Sequence, residues 1–300
     1  MAQKTTFGQR ALKRGIGSFR SGQREQALRE FDDAMSWAVE HSDSDLWDRA
    51  FCNRYAVDLE NGARDGEGLS NLREIVLRTG DDENAFLASY NAARAYDLRG
   101  DQDRALFYLN IAKDHCGRLA RHDWMAWSHN LAGNLYLSKS RIEDACIEYQ
   151  TALAMLPSSP HLARAQVLDN LGYCRMLQNR TREGFSSVFS GLRMLRKLGM
   201  EREEAPLRLS LCHGYLDLER ADKALAHGTA GLEIAERHGD VESIKNGHYL
   251  VGEAYNQLGN EFAAYRCFRD LQQRYFPSTP NIPELLMAVD VRGLINLKAG

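Results

Sequence analysis

The chemically reactive side chains of this sequence are scattered and form no recognisable catalytic or metal-binding motif. The histidines include no H-E-x-x-H, and the adjacent pair His115-Cys116 would point apart on a helix. There is no G-x-S-x-G, and Gly15-Ile-Gly17 lacks the third glycine of a dinucleotide motif. Paired carboxylates such as Asp32-Asp33 stand at solvated positions. We therefore predict a protein that is not an enzyme, with no catalytic residue, no metal and no cofactor.

Asparagine suggests a different chemistry, because it recurs within the predicted helices although it is a poor helix former. Its amide both donates and accepts hydrogen bonds, which suits the free N–H and C=O groups of an extended peptide. Aromatic side chains and an arginine lie beside the asparagines. The alternative is that asparagine is merely tolerated on a wet, polar surface. The residues predicted to bind a peptide or partner are Tyr90, Asn91, Arg94, Trp127, Asn130, Asn134, Asn170 and Tyr173.

The elements that must position these residues repeat along the chain. A small residue recurs early in every second predicted helix, with steps of 37 to 41 residues. Such a period indicates a solenoid, in which each helical unit buries its apolar side by stacking on the next. The recurring small residues are Ala27, Gly68, Ala105, Ala145, Gly184, Ala224 and Ala264.

The clearest unit runs from about residue 126 to 157, and it resembles the tetratricopeptide repeat, a helix–turn–helix unit. His129 and Ala132 depart from the usual tryptophan and leucine of that family. The resemblance covers about residues 7–277. The matching residues are Gly133, Tyr136, Ala145, Tyr149, Ala152 and Pro157 in this unit, and Gly252, Tyr255, Gly259, Ala264, Phe268 and Pro277 in the last.

The resemblance implies an all-α, right-handed superhelical solenoid of seven helix pairs in residues 1–282. Gly133 and Gly252 should lie where paired helices cross closely, and Gly100 and Gly259 should end first helices in a left-handed conformation. The longer, roughly 40-residue repeat is similar to arrays in bacterial regulators and peptide-binding adaptors. The expected units lie near residues 7–41, 45–80, 84–120, 123–157, 161–199, 203–238 and 242–277.

Residues 283–300 are predicted to form a capping helix. Pro283 is suited to the first turn of a helix, and an amphipathic stretch follows it. A terminal unit must cover the apolar side that the last pair would otherwise expose. The apolar positions of this stretch are Leu285, Leu286, Val289, Ile295 and Leu297.

First helices of the tetratricopeptide fold line a concave wall, so a 3.6-residue stripe on each should face it. In the seventh unit this stripe includes Asn246, Tyr249 and Glu253. The asparagines resemble the asparagine ladder with which related longer-repeat proteins hold peptide backbones. The carboxylate clamp of the family is not reproduced, because no lysine accompanies Arg94.

The composition excludes several function classes. The formal net charge of −3 provides no strong field for nucleic acid or anionic lipid. No stretch approaches about 18 apolar residues, and no secretory core follows the first residues. The six cysteines show no C-x-x-C pair, which indicates reduced, buried thiols. We predict a cytoplasmic protein whose partner is a protein or peptide, without nucleic-acid, membrane or small-molecule ligands.

The predicted function is a protein-interaction scaffold or adaptor that binds a peptide segment or partner helix in its concave groove. One alternative is a peptide-sensing regulatory protein, similar to a quorum-sensing receptor. Such regulators usually carry a DNA-binding domain before the repeats, so this chain would need a separate effector or would be part of a longer one. Another alternative is an accessory subunit that docks an enzyme.

Overall fold

The computed structural model describes residues 5–60, 62, 66–292 and 297, and every regular element in them is an α-helix. The predicted all-α fold is thereby confirmed for these residues. The helices are α1 Phe7–Arg20, α2 Arg24–Glu40, α3 Ser44–Glu60, α4 Gly66–Arg78, α5 Asp82–Asp97, α6 Gln102–Leu119, α7 His122–Ser138, α8 Ile142–Met155, α9 Leu162–Leu177, α10 Thr181–Leu198, α11 Glu204–Asp217, α12 Ala221–His238, α13 Val241–Gln257, α14 Glu261–Tyr275 and α15 Ile282–Ala288.

The chain divides into two compact units, residues 1–135 and residues 136–300, with the boundary inside α7. Within the first unit α1 packs on α2, α5 packs on α6, and α3 lies against α5. Within the second unit α9, α11 and α13 pack on their following helices α10, α12 and α14. In this second unit α9 also contacts α11, and α11 contacts α13, so these three first helices form one layer.

Paired helices cross with almost no space between them, as the small residues predict. A Cβ on Gly252 would overlap the ring of Phe268, which confirms the predicted close crossing there. A Cβ on Gly172 would lie 2.8 Å from the carbonyl oxygen of Gly184, so α9 and α10 touch backbone to backbone. The same sixteen-residue spacing separates three pairs in which the added Cβ would meet the later side chain: Gly15 and Phe31, Gly172 and Val188, and Gly252 and Phe268.

Left-handed residues end the first helices. Gly100 and Gly259 both have φ of 73°, which confirms their predicted role. The amide of Asp101 donates back to the carbonyl of Tyr96 at 2.9 Å, and that of Asn260 donates to Tyr255 at 2.9 Å. These bonds cap carbonyl groups at the ends of the first helices, and they start the second helix close to the first.

The prediction of a long capping helix over residues 283–300 is wrong. Helix α15 ends at Ala288, and Val289 is extended, with φ of −133° and ψ of 125°. The carboxylate of Asp290 accepts a hydrogen bond from the backbone amide of Arg292 at 2.9 Å, a local bond that competes with helix formation. Residues 293–296 and 298–300, including the predicted apolar position Ile295, lie outside the described residues. Leu286 is buried in the core of the second unit, so α15 itself does cover apolar surface.

All six cysteines are buried, as the sequence predicts, and none is in a disulfide. Among the described residues, no helix combines the length and the apolar character that crossing a membrane requires.

We expect replacement of Gly252 with leucine to lower the free energy of unfolding by about 1–3 kcal/mol, because the side chain must displace the buried Phe268 ring. Gly15→Leu, against Phe31, should act in the same way. Gly17→Leu is the matched control, since Gly17 lies on an exposed side of α1 with open space around it. Urea unfolding of the three variants checks this. Equal stability of Gly252→Leu and the unaltered chain would contradict the close crossing.

Candidate functional site

Amide side chains link neighbouring first helices to one another. The Nδ2 group of Asn91 on α5 donates to the carbonyl of Cys52 on α3 at 2.7 Å. The Nδ2 group of Asn84 donates to the carbonyl of Asp45 at 3.0 Å between the same helices. In the second unit Nε2 of Gln257 on α13 donates to the carbonyl of Leu216 on α11 at 3.2 Å. Each bond joins residues about one repeat apart, so these amides hold neighbouring first helices together within each unit.

This arrangement gives Asn91 a structural role. Only 3% of the residue is exposed, and its amide hydrogen is committed to Cys52. The recurrence of asparagine therefore has a packing cause at this position. Asn130, Asn134 and Asn170 are half-buried, and each of them already has an interaction partner within the protein.

Four aromatic rings form a continuous row across α5 and α7 in the first unit. The rings of Phe86 and Trp124 stack with centroids 4.4 Å apart and join the two helices. Tyr90 stacks on Phe86 at 5.6 Å, and Trp127 stacks on Trp124 at 6.5 Å. The structure thus brings two of the predicted site residues, Tyr90 and Trp127, to the two ends of one aromatic row.

Polar groups accompany this aromatic row. Tyr90, Arg94 and Trp127 are half-buried. Burial raises the pKa of the Tyr90 hydroxyl, and the nearby Arg94 guanidinium opposes the rise. Burial also raises the pKa of Asp97, one turn beyond Arg94, to about 6. The first unit therefore offers apolar anchors, a cation and a carboxyl on neighbouring first helices.

Tyr173 belongs to a second surface, in residues 136–300. The residue is fully buried, its ring meets that of His213 edge-on at 5.2 Å, and its hydroxyl accepts a hydrogen bond from the amide of Leu297 at 3.3 Å. Burial raises the pKa of Tyr173 to about 12. Its hydroxyl therefore contacts a backbone group, as predicted for a peptide-binding residue, but the backbone is that of this chain.

We call this second surface the α9–α11–α13 face and define it by Tyr173, His213, Asp217, Asn246, Tyr249 and Glu253. The Nδ2 group of Asn246 donates to the carbonyl of Leu297 at 3.3 Å. His213 Nδ1 lies 3.3 Å from a carboxylate oxygen of Asp217. Sequence analysis missed His213 as a site residue, although it follows Cys212 in the same way that Tyr173 follows Gly172. The 3.6-residue stripe that faces the concave wall, placed on the first helix of the sixth unit, includes His213 and would have identified it.

Acidic groups dominate this face. Asp217 stands at its rim, and one oxygen of this carboxylate lies 3.3 Å from the guanidinium of Arg292. Glu253 is 4% exposed, and burial raises its pKa to about 7, with Asp290 adding to the rise and Arg292 opposing it. The hydrogen bond from Arg292 lowers the pKa of Asp290. Glu253 is thus a buried carboxyl that changes charge near neutral pH.

On the α9–α11–α13 face, the hydroxyl of Tyr249 and Oε1 of Glu253 are buried and lack a hydrogen-bond partner among the described residues. A buried polar atom without a partner costs about 1–3 kcal/mol relative to one that is bonded. The face therefore retains buried hydrogen-bonding groups that are not satisfied by the described residues.

A cavity of about 510 Å³ lies elsewhere, in the first unit, between the end of α2, the start of α3 and helix α4. Its lining includes Val39, Trp47 and Arg78. None of the predicted site residues lines it.

Comparison with known proteins identifies the fold. No protein-family model matches the chain, and no curated protein matches it. Solved structures do match. A Rap protein solved in complex with Competence and Sporulation Factor is 14% identical, with a TM-score of 0.73 over 90% of this chain and 76% of that one.

Two further structures have a similar architecture. The apo form of the quorum sensor NprR from B. thuringiensis is 14% identical, with a TM-score of 0.67 over 89% of this chain and 75% of that one. A tetratricopeptide repeat protein from Parabacteroides merdae is 12% identical, with a TM-score of 0.56 over 94% and 97%. The chain therefore has a tetratricopeptide-type helical repeat fold, as its sequence predicts.

We expect Asn91→Ala to destabilise the first unit, because it removes the bond between α5 and α3. The expected loss is about 0.5–1.5 kcal/mol in the free energy of unfolding. Asn110→Ala is the matched control, because Asn110 is exposed on α6 and the exchange there changes only helix propensity. Urea unfolding of both variants measures the difference. A variant at position 91 as stable as the control would show that the bond to Cys52 contributes nothing.

We expect stability to depend on the charge of Glu253. A carboxyl with a higher pKa in the folded chain than in the unfolded one holds its proton more tightly when folded. Its contribution to the free energy of unfolding is therefore full below its ordinary pKa of 4.5 and is lost as the pH rises to about 7. Relative to the unaltered chain, Glu253→Gln should become more stable by about 1–3 kcal/mol between pH 5 and pH 8.

Urea unfolding at both pH values tests this dependence. Glu233→Gln, which alters an exposed carboxyl on α12, is the control and should track the unaltered chain. A constant stability difference between Glu253→Gln and the unaltered chain would rule out a burial-raised pKa.

Proposed function

We propose that this protein is a non-catalytic interaction scaffold that binds an extended peptide segment or a partner helix on its layers of first helices. The observation that carries the proposal is the pair of hydrogen bonds to the backbone of Leu297. Side chains from two first helices, Tyr173 on α9 and Asn246 on α13, hold its backbone amide and carbonyl. Hydrogen bonds to the backbone allow binding of a peptide with little dependence on its side chains.

The first unit supplies the groups that would select among peptides. Trp127 and Tyr90 end an aromatic row and provide apolar anchors, which dominate the energetics of protein interfaces. Arg94 provides a positive charge beside Tyr90. In this proposal Asn130, Asn134 and, in the second unit, Asn170 contribute amide groups at the margin of each surface. Asn91 serves the binding surface only by fixing α5 against α3.

The class of partner follows from the charge and the surface chemistry. The formal net charge of −3 provides little attraction for nucleic acid or for an anionic membrane. We propose a protein or peptide partner in the cytoplasm. The buried state of all six thiols is consistent with a reducing compartment.

A second candidate function is peptide sensing in a regulatory system. The similarity to the quorum sensor NprR and to a Rap protein solved with Competence and Sporulation Factor favours it. The two candidates differ in what binding does. A scaffold keeps its conformation when a peptide binds, whereas a sensor shifts between two conformations that differ in affinity for an effector.

The test of the proposal is selection from a displayed library of random peptides on the immobilised full chain, followed by calorimetric titration of the selected peptides. We expect Trp127→Ala to weaken binding by about 2 kcal/mol or more, since aromatic anchors contribute most. Asn130→Ala and Asn134→Ala should each cost about 0.5–1.5 kcal/mol, the net contribution of a neutral hydrogen bond.

Phe262→Ala is the matched control, because Phe262 is a large side chain, 81% exposed, on the second helix α14. Its loss should leave affinity unchanged. Recovery of no binding peptide would refute the proposal, and equal effects of Trp127→Ala and Phe262→Ala would place the interface on another surface.

A further inference from the structure

The described residues after α15, Val289–Arg292 and Leu297, include contacts with the α9–α11–α13 face. The guanidinium of Arg292 reaches Asp217 on α11 at 3.3 Å, and only 16% of the Arg292 side chain is exposed. The amide and carbonyl of Leu297 bond to Tyr173 on α9 and Asn246 on α13. The segment therefore touches residues up to 124 positions earlier in the sequence.

This contact has the features of a bound peptide. Side chains of the face hold the backbone of Leu297, and the side chains of Val291 and Leu297 pack on the core cluster that contains Tyr249. A cation of the segment pairs with an acid of the face. Backbone hydrogen bonds, apolar anchors and one charge pair are the usual means by which a folded domain holds an extended peptide.

The segment nevertheless fits the face incompletely. Oε1 of Glu253 and the hydroxyl of Tyr249 are buried and have no hydrogen-bond partner among the described residues. The only cation that the described part of the segment brings is Arg292, and its guanidinium is already engaged at two positions by Asp290, at 3.0 and 2.6 Å. The segment thus carries an acid of its own, Asp290, that competes with Asp217 and Glu253 for Arg292.

We propose that the α9–α11–α13 face is a binding site for an extended peptide that carries a lysine or arginine and, about five residues further on, a leucine-like residue, and that Val289–Arg292 together with Leu297 form its intramolecular competitor. A peptide with a basic side chain and no adjacent acid would pair with both carboxylates of the face and donate to the unsatisfied oxygen. This inference rests on the proposed function, because it names the ligand chemistry and the regulation of one of its surfaces.

Tethering makes the competition strong. A segment attached to its own site acts at an effective concentration of about millimolar, so an incoming peptide of equal intrinsic affinity is held off. The apparent affinity for an added peptide falls by the fraction of molecules in which the face is free. Weakening the contacts of the resident segment must therefore strengthen the binding of a peptide in trans. Weakening the face acts on both competitors, so it changes the apparent affinity only of a peptide that uses the face differently from the resident segment.

The experiment uses the full chain and a fluorescent synthetic peptide with the sequence of residues 289–300, VDVRGLINLKAG. A second peptide carries Asp290→Asn, which removes the competing acid. Fluorescence anisotropy gives the dissociation constants. We expect the Asp290→Asn peptide to bind more tightly than the parent peptide. We also expect Arg292→Ala in the full chain to tighten the binding of both peptides about tenfold, the loss of one charge-assisted hydrogen bond from the competitor.

Changes in the face test its acidic groups. Asp217→Asn and Glu253→Gln should reduce the advantage in affinity of the Asp290→Asn peptide over the parent peptide, because that advantage depends on the acids that the free peptide arginine meets. Arg237→Ala is the matched control, since Arg237 makes an ion pair with Glu201 at 3.0 Å in a different part of the same unit. It should leave both affinities unchanged. Leu297→Ala weakens the segment without altering charge, and it replaces Arg292→Ala if that variant fails to fold.

The outcomes separate this inference from the general function. If neither Arg292→Ala nor Leu297→Ala increases the affinity for added peptide, Arg292 and Leu297 are a fixed part of the fold and the inference is overturned. Library-selected peptides that still bind and still depend on Trp127 would then leave the scaffold function intact. If neither the synthetic peptides nor any library-selected peptide binds, both the inference and the proposed scaffold function are overturned.

Discussion

The close crossing of paired helices is the contact on which the rest of the structure depends. Because glycine or alanine occupies the crossing, a ring or branched side chain sixteen residues later packs directly on the backbone of the first helix, as Phe268 does on Gly252. The crossing sets the separation of the two helices in a pair. It thereby fixes which residues of each first helix remain free to meet the next first helix, and which form a surface.

The fold was largely predictable from the sequence because this contact recurs in it. Period, small residues and left-handed turns are local features, and Gly100, Gly259 and Gly252 lie as the pattern indicates. The capping helix is shorter than the sequence predicts. The apolar spacing of residues 283–300 is typical of a helix, whereas the bond from the Arg292 amide to Asp290 and the extended Val289 end the helix at Ala288.

The candidate site was predictable only in part, because one residue type has two uses on this fold. An amide side chain on a first helix can bind a ligand or can bridge to the neighbouring first helix, and spacing alone does not distinguish the two. Asn91 bridges to Cys52, whereas Asn246 holds the carbonyl of Leu297. The tertiary neighbour that decides between these uses lies about one repeat away or, for Leu297, at the far end of the chain. Single-helix periodicity does not contain that information.

The buried carboxyl of Glu253 links the α9–α11–α13 face to the solvent through protons. With a pKa of about 7 it is partly protonated in a neutral buffer. A cation that settles beside it favours the ionised form, so the arrival of a basic group expels a fraction of a proton into the solution. The heat of such an association therefore includes the ionisation enthalpy of the buffer. Titrations in phosphate and in Tris would then give different enthalpies for the same complex, and their difference counts the protons that leave the face.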